Sequence, residues 1–205
     1  MLRSGWARVA IPASLVAVGV VGAILFATAG QPDAPLRSDL LEVVQGLTAS
    51  RNAGDVDLAL SYLADDAELF DVSMASRRGE AKIREILAAQ AVAGWTIRES
   101  GCSADGETVT CRYQMDDKVL RRWGLTFTGR HEYLIRDGKV AKVLRFHDEA
   151  SREEAYAALA DFKAWVRETH RDLLYVIWSD AQSVTYATPD GAAAMLDLLD
   201  EYSPP

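Results

Sequence analysis

"LADDAELFDVSMASRRGEAKIREIL" (Leu63–Leu87) is the stretch whose reading decides the fold. Its first part reads as a strand over Ala64–Met74. Its second part turns at Gly79 and continues as a helix with Ile83, Ile86 and Leu87 inward. Strand side chains alternate, so Glu68, Phe70 and Val72 share one face and Leu69, Asp71 and Ser73 the other. A carboxylate among apolar neighbours has two readings. Asp71 is either an ordinary edge or surface charge, or the working acid of a pocket.

Working upstream, "SDLLEVVQGLTASRNAGD" places Leu40, Leu41, Val43, Val44 and Leu47 at helical spacing, with Ser38 as N-cap and Gly54 as stop. "DVDLALSYLADD" predicts a second, short helix marked by Leu58, Leu60 and Leu63. Downstream the pattern turns to strands: Trp95–Cys102, Glu107–Met115, Phe127–Arg136 and Lys139–His147. Asp105-Gly106 and "RDGK" (Arg136–Lys139) are hairpin turns. "DDKVLRRWGLTFTG" reads either as a short helix or as a continuing strand. Helices over Ser151–Thr169 and Asp190–Tyr202 close the chain, with Trp165 and Trp178 expected to pack them onto the rest.

Helices first and an antiparallel sheet second define the α+β class. A curved antiparallel sheet wrapped around the N-terminal helices would be cone-shaped. Its open, mostly apolar hollow is where a small ligand belongs. The expected organisation is an N-terminal apolar segment over 1–29, a Pro/Gly linker over 30–37, a domain over 38–148 and a C-terminal helical extension over 149–205.

Val9–Ala29 holds 21 uncharged residues, a helix length matching the ~30 Å hydrocarbon core of a bilayer. Arg3 and Arg8 precede it, which leaves the N-terminus cytoplasmic and the domain outside. "ATAG" (Ala27–Gly30) also resembles a signal-peptidase site, so a secreted, cleaved form is the alternative. The run exceeds an ordinary signal core and favours the single-pass anchor. Export fits Cys102 and Cys111, which flank the Asp105-Gly106 turn. They form a disulfide across the hairpin or stand as two free thiols, and an oxidising compartment favours the disulfide.

The 205 residues are 49% hydrophobic and 25% charged, a globular composition with net charge −8. Beyond residue 29 stand 20 basic against 30 acidic residues, a balance of −10. That sign repels phosphate backbones and disfavours nucleic acid as a partner. His131, His147 and His170 share no metal-ligand spacing, and nucleotide and nucleophile-elbow fingerprints do not occur. Neither a metal nor another cofactor is expected.

"VVQGLTASRNAGDVDLALSYLADDAELFDVSMASRRGEAKIREIL" (Val43–Leu87), with the later "DGKV", resembles the nuclear transport factor 2-like superfamily. It is most similar to the SnoaL-like and ketosteroid isomerase-like branch. The resemblance covers Leu40–His147 and implies the cone fold, with the convex sheet face as a homodimer surface. It also implies roles. Asp71 matches the aspartate that removes a proton beside a carbonyl. His131 stands where a second acid hydrogen-bonds the oxyanion, and Leu47 stands where a tyrosine does the same.

One position of three is retained, one is changed in type and one is lost. Losing an oxyanion donor typically costs about 10²–10³ in rate. His131 alternates with Tyr133 and Ile135, an inward face on which it is either a structural histidine or a ligand hydrogen-bond donor. Tyr113, Trp123, Phe127 and Tyr133 are candidate cone-lining residues, or plain core. The expected role is therefore an extracytoplasmic domain that binds a small apolar molecule or a membrane-associated protein without catalysis. The alternative is an isomerase or lyase with Asp71 as general base.

Overall fold

Two Asp-Gly turns organise the sheet. A computed structural model describes residues 38–71, 76–178, 186 and 188–202, all within one compact unit, Pro35–Pro205. At Asp137-Gly138 both residues take positive φ, 53° and 71°, the paired left-handed turn that matches strand twist. It joins β5 (Phe127–Arg136) to β6 (Lys139–His147). The other turn joins β3 (Thr96–Asp105) to β4 (Thr108–Asp116). Between Ser100 and Ser103 the β3–β4 register shifts, and there the disulfide Cys102–Cys111 crosses the hairpin, its Cα atoms 4.1 Å apart.

The helices α1 (Ser38–Asn52), α2 (Val56–Ser61) and α3 (Glu80–Ala93) surround β1 (Leu63–Asp71) and β2 (Arg77–Arg78). Ile83, Ile86 and Leu87 of α3 are buried as the periodicity predicts. Ser38 is the first residue of α1 rather than a cap before it. In α2 two expected marks fail: Leu58 is 47% exposed and Leu63 begins β1. Six residues give a helix less than two turns to build an apolar stripe, so its only buried residue is Ala59.

The sheet runs β2-β1-β6-β5-β4-β3. It corrects the antiparallel expectation, because β1 pairs with β6 in parallel. Hairpin turns fix the direction of β3 against β4 and of β5 against β6, whereas β1 and β6 are separated in the chain by β2 to β5. Such a pairing leaves no local turn signal. The ambiguous stretch after β4 resolves as α4 (Lys118–Arg122), capped by Asp117 Oδ1 accepting from Leu120 N at 2.8 Å.

One face of the sheet is buried along β4 and β5. Val109, Cys111, Tyr113 and Met115 of β4 and Phe127, His131, Tyr133 and Ile135 of β5 are all at most 4% exposed. Helices α1 and α3 cover part of this concave face. The other part lies under the C-terminal helices α5 (Glu149–Thr169), α6 (Leu174–Ile177) and α7 (Pro189–Glu201). Among the described residues, side chains of the C-terminal extension therefore pack over part of the face where an open hollow was expected.

Phe162 of α5 is its centre, fully buried among Trp123, Trp165, Trp178 and Tyr202. Trp165 and Trp178 thus do pack the extension onto the domain. Tyr186 adds a polar tie, donating to Asp117 Oδ2 at 2.9 Å. The 1–29 segment and the 30–37 linker lie outside the described residues, and so do Val72–Met74. Among the described residues no helix is long and apolar enough to cross a membrane.

Phe162→Ala should cost about 3–5 kcal/mol, because it empties a site ringed by aromatic side chains that cannot collapse together. Tyr175→Ala, at a residue 83% exposed, should stay within about 0.5 kcal/mol. Urea denaturation of both variants checks the contrast.

Candidate functional site

Pairing register builds the site before any side chain is considered. Cys111, His131, Arg145 and Asp71 stand side by side across β4, β5, β6 and β1. The next row is Val109, Tyr133, Val143 and Leu69. Residues paired this way share a face, which places Tyr133, His131 and Arg145 together on the concave side. Glu99 enters from β3, opposite Tyr113.

Glu99 gathers the polar groups. Its Oε2 accepts from Thr48 Oγ1 of α1 at 2.8 Å. Its Oε1 accepts from His131 Nδ1 at 2.9 Å and from the Tyr133 hydroxyl. Arg145 Nε donates to His131 Nε2 at 3.0 Å. Arginine can only donate, so Nε2 is the bare nitrogen and Nδ1 carries the proton given to Glu99. Tyr113 stacks on the His131 ring with centroids 4.3 Å apart, and its hydroxyl lies 2.7 Å from His147 Nδ1. Gly129 makes that reach possible, since a Cβ there would sit 2.0 Å from the Phe146 carbonyl and 2.9 Å from the tyrosine hydroxyl.

Two cations border the network. Arg51 lies 4.2 Å from the centre of the Trp95 ring and Arg145 lies 5.3 Å from it. Arg51 Nη2 donates to Gln90 Oε1 at 3.2 Å, while its buried Nε has no partner among the described residues.

Burial sets the charges. It lowers Arg51 to about 10, helped by the nearby Arg145, so the guanidinium stays charged at neutral pH. Burial also raises Tyr133 well above its ordinary value, and Glu99 adds to the effect. For Glu99 burial pushes upward, but the hydrogen bonds from His131, Tyr133 and Thr48 leave it below the usual carboxylate range. At neutral pH the site therefore holds an ionised Glu99, a neutral His131 and a protonated Tyr133. Both nitrogens of the imidazole are engaged, so it can neither take nor give a proton until a bond to Glu99 or Arg145 breaks.

Of the residues expected from sequence, His131, Tyr113 and Tyr133 come together. Phe127 lies beside them, its ring 4.8 Å from His147. Trp123 instead packs 5.5 Å from Phe162, in the cluster under the C-terminal helices. Asp71 ends β1 in register with Arg145, and its side chain lies outside the described residues. Leu47 is plain core, 1% exposed. His170 caps the end of α5, 3.1 Å from Glu201. Among the described residues no group of side chains could hold a metal ion.

Glu99, Arg145, Arg51 and Thr48 are not singled out by sequence pattern. A signal existed for two of them: Glu99 follows Ile97 by two residues and Arg145 follows Val143 by two, so each continues an inward row.

Residues 44–143 match the SnoaL-like domain family. No curated protein matches the chain. Among solved structures it is similar to the epoxide hydrolase/cyclase-like enzyme SalBIII of pyran ring formation in the polyether salinomycin. Identity is 21%, TM-score 0.51, with 56% of this chain and 94% of that one covered. It is also similar to an LEH-like epoxide hydrolase of M. tuberculosis. There identity is 17%, TM-score 0.50, with 64% of this chain and 98% of that one covered. These likenesses are ones of fold.

Glu99→Ala should destabilise the protein by about 3–5 kcal/mol, since it strands the hydrogens of His131, Tyr133 and Thr48 away from water. Glu99→Gln keeps a carbonyl acceptor and should cost distinctly less. Equal denaturation midpoints for E99A and wild type would show that the carboxylate is not the hub.

Proposed function

We propose that this chain, whose residues 44–143 match the SnoaL-like domain family, is a membrane-anchored, extracytoplasmic interaction module that holds a partner protein and does not turn over a substrate. The observation that carries the reading is the covered concave face. Side chains of α5 and α7 cluster, among the described residues, with Tyr113, Met115 and Phe127 of the face on which a small molecule would rest. The acid and base groups facing it are spent on one another. The disulfide supports the compartment, since such bonds persist where conditions are oxidising. The apolar Val9–Ala29 run supports the anchor.

A second reading has one observation in its favour. Asp71 stands in register beside Arg145, at the end of the row that contains His131. In that reading Asp71 is a general base on a carbon acid, and the C-terminal helices leave the hollow to admit the substrate. The missing tyrosine at Leu47 counts against it.

Two measurements test the proposal. Protease added outside intact cells should remove the folded domain while residues 1–29 stay with the membrane. Recovery of a soluble chain beginning at Gly30 overturns the anchor. Native mass spectrometry of the purified chain should show no stoichiometric small molecule. A bound molecule that Asp71→Asn releases would establish the ligand-chemistry reading in its place.

A further inference from the structure

His131 is fixed in one protonation state by its neighbours, and this has a conformational consequence. The groups facing it come from every element packed around it: Glu99 of β3, Tyr113 of β4, Tyr133 of its own strand and Arg145 of β6. Arg51 of α1 adds its field, and Asp71 stands in register beyond Arg145. Nδ1–H is given to Glu99, while Nε2 receives the Nε–H of Arg145 at 3.0 Å. A second proton can bind only at Nε2. It would set an imidazolium N–H against a guanidinium N–H, two donors and two positive charges at hydrogen-bond distance. Proton uptake from solvent therefore requires Arg145 to part from His131.

Arg145 does not move alone. It flanks Trp95, whose ring also lies under Arg51, and Arg51 joins α1 to Gln90 of α3. On the other side of the imidazole, Glu99 is tied to α1 through Thr48.

We propose that the chain Thr48–Glu99–His131–Arg145 is an acid-operated latch: it holds α1 and β3 against the middle of the sheet while His131 is neutral, and a proton on Nε2 opens the concave face. The device regulates the face on which the interaction-module reading rests, and it needs neither partner nor substrate to be observed.

Burial foremost, with the Arg145 cation, holds the closed-state imidazole down to about 3 against the upward pull of Glu99, from an ordinary 6.5. Between those values the open form takes up a proton that the closed form refuses. Closure therefore weakens as pH falls below 6.5, by up to about tenfold per unit, and is unaffected above it. Glu99, held below its ordinary 4.5, adds a contribution of the same sign only under that value. The window from 6.5 to 4.5 thus separates the histidine from Glu99, and the H131Q comparison separates it from every other titrating group.

Amide hydrogen exchange of the full chain between pH 7.5 and 5, corrected for intrinsic rates, tests the latch. Protection of α1 and β3 should fall by up to about tenfold per unit below 6.5 in wild type and in His170→Gln. It should stay flat in His131→Gln, which can donate to Glu99 and accept from Arg145 but cannot titrate. Flat protection in wild type, or the same slope in H131Q, overturns the proposal. Nitrogen NMR of wild type decides between the outcomes even if H131Q fails to fold. A doubly protonated His131 ring in a sheet that keeps full protection also overturns it. Loss of a partner or discovery of a substrate would sink the interaction-module reading and leave these exchange rates unchanged.

Discussion

Everything in this molecule follows from the need to bury the concave side of a bent sheet. The inward side chains of β4 and β5 bring five aromatic or long aliphatic groups to that face: Tyr113, Met115, Phe127, Tyr133 and Ile135. Each contributes on the order of 1.5–3 kcal/mol only when covered. Helices α1 and α3 cover the half nearest β1, where Val109, Tyr133, Ile135 and Val143 pack. The half nearest Met115 and Phe127 would stay wet without a further layer. Residues 149–202 supply it, presenting Leu159, Phe162, Val166, Met195 and Leu198 to that surface. The extension is thus part of the core.

Polar residues on the same face obey the same constraint differently. A buried carboxylate costs far more than it returns unless its oxygens are taken. Glu99 meets this with three donors from two elements, Thr48 of α1 and His131 and Tyr133 of β5. Satisfying one group creates demands on the next, because His131 must then offer a bare Nε2 to something that donates, and Arg145 does. Each of these groups is thus held by the next, and none of Glu99, His131 and Tyr133 stands without a hydrogen-bond partner. A general base has to be free to accept the proton it abstracts.

The sequence revealed the elements better than their partners. Both Asp-Gly hairpins, the inward side of α3 and the inward row His131–Tyr133–Ile135 could be read from turn chemistry and alternation, because these are local. The direction of β1 was hidden, since a parallel pairing with β6 depends on residues more than seventy positions apart. So was the filling of the hollow, as nothing in the amphipathic spacing of α5 says which surface it will meet. Trp123 shows the consequence. Its type and position suit a ligand wall, yet Phe162, distant in sequence, makes it part of the packing beneath the extension. Glu99 and Arg145 were legible in principle. Each occupies an inward strand position, and a charge there demands a partner that only the folded sheet can name.

Glu99 and Asp71 divide structural and chemical possibilities between them. Glu99 is the acid with a full complement of donors, and those donors lower its affinity for a proton. Such an acid is a weak base and a strong fastening. Asp71 is the acid that the fold resemblance singles out, yet the histidine that would assist it belongs to Glu99. For Asp71 to act on a substrate, His131 would have to change allegiance, and the geometry lets it do so only by surrendering its bond to Glu99 or to Arg145. In the closed state, Glu99 and Arg145 hold it.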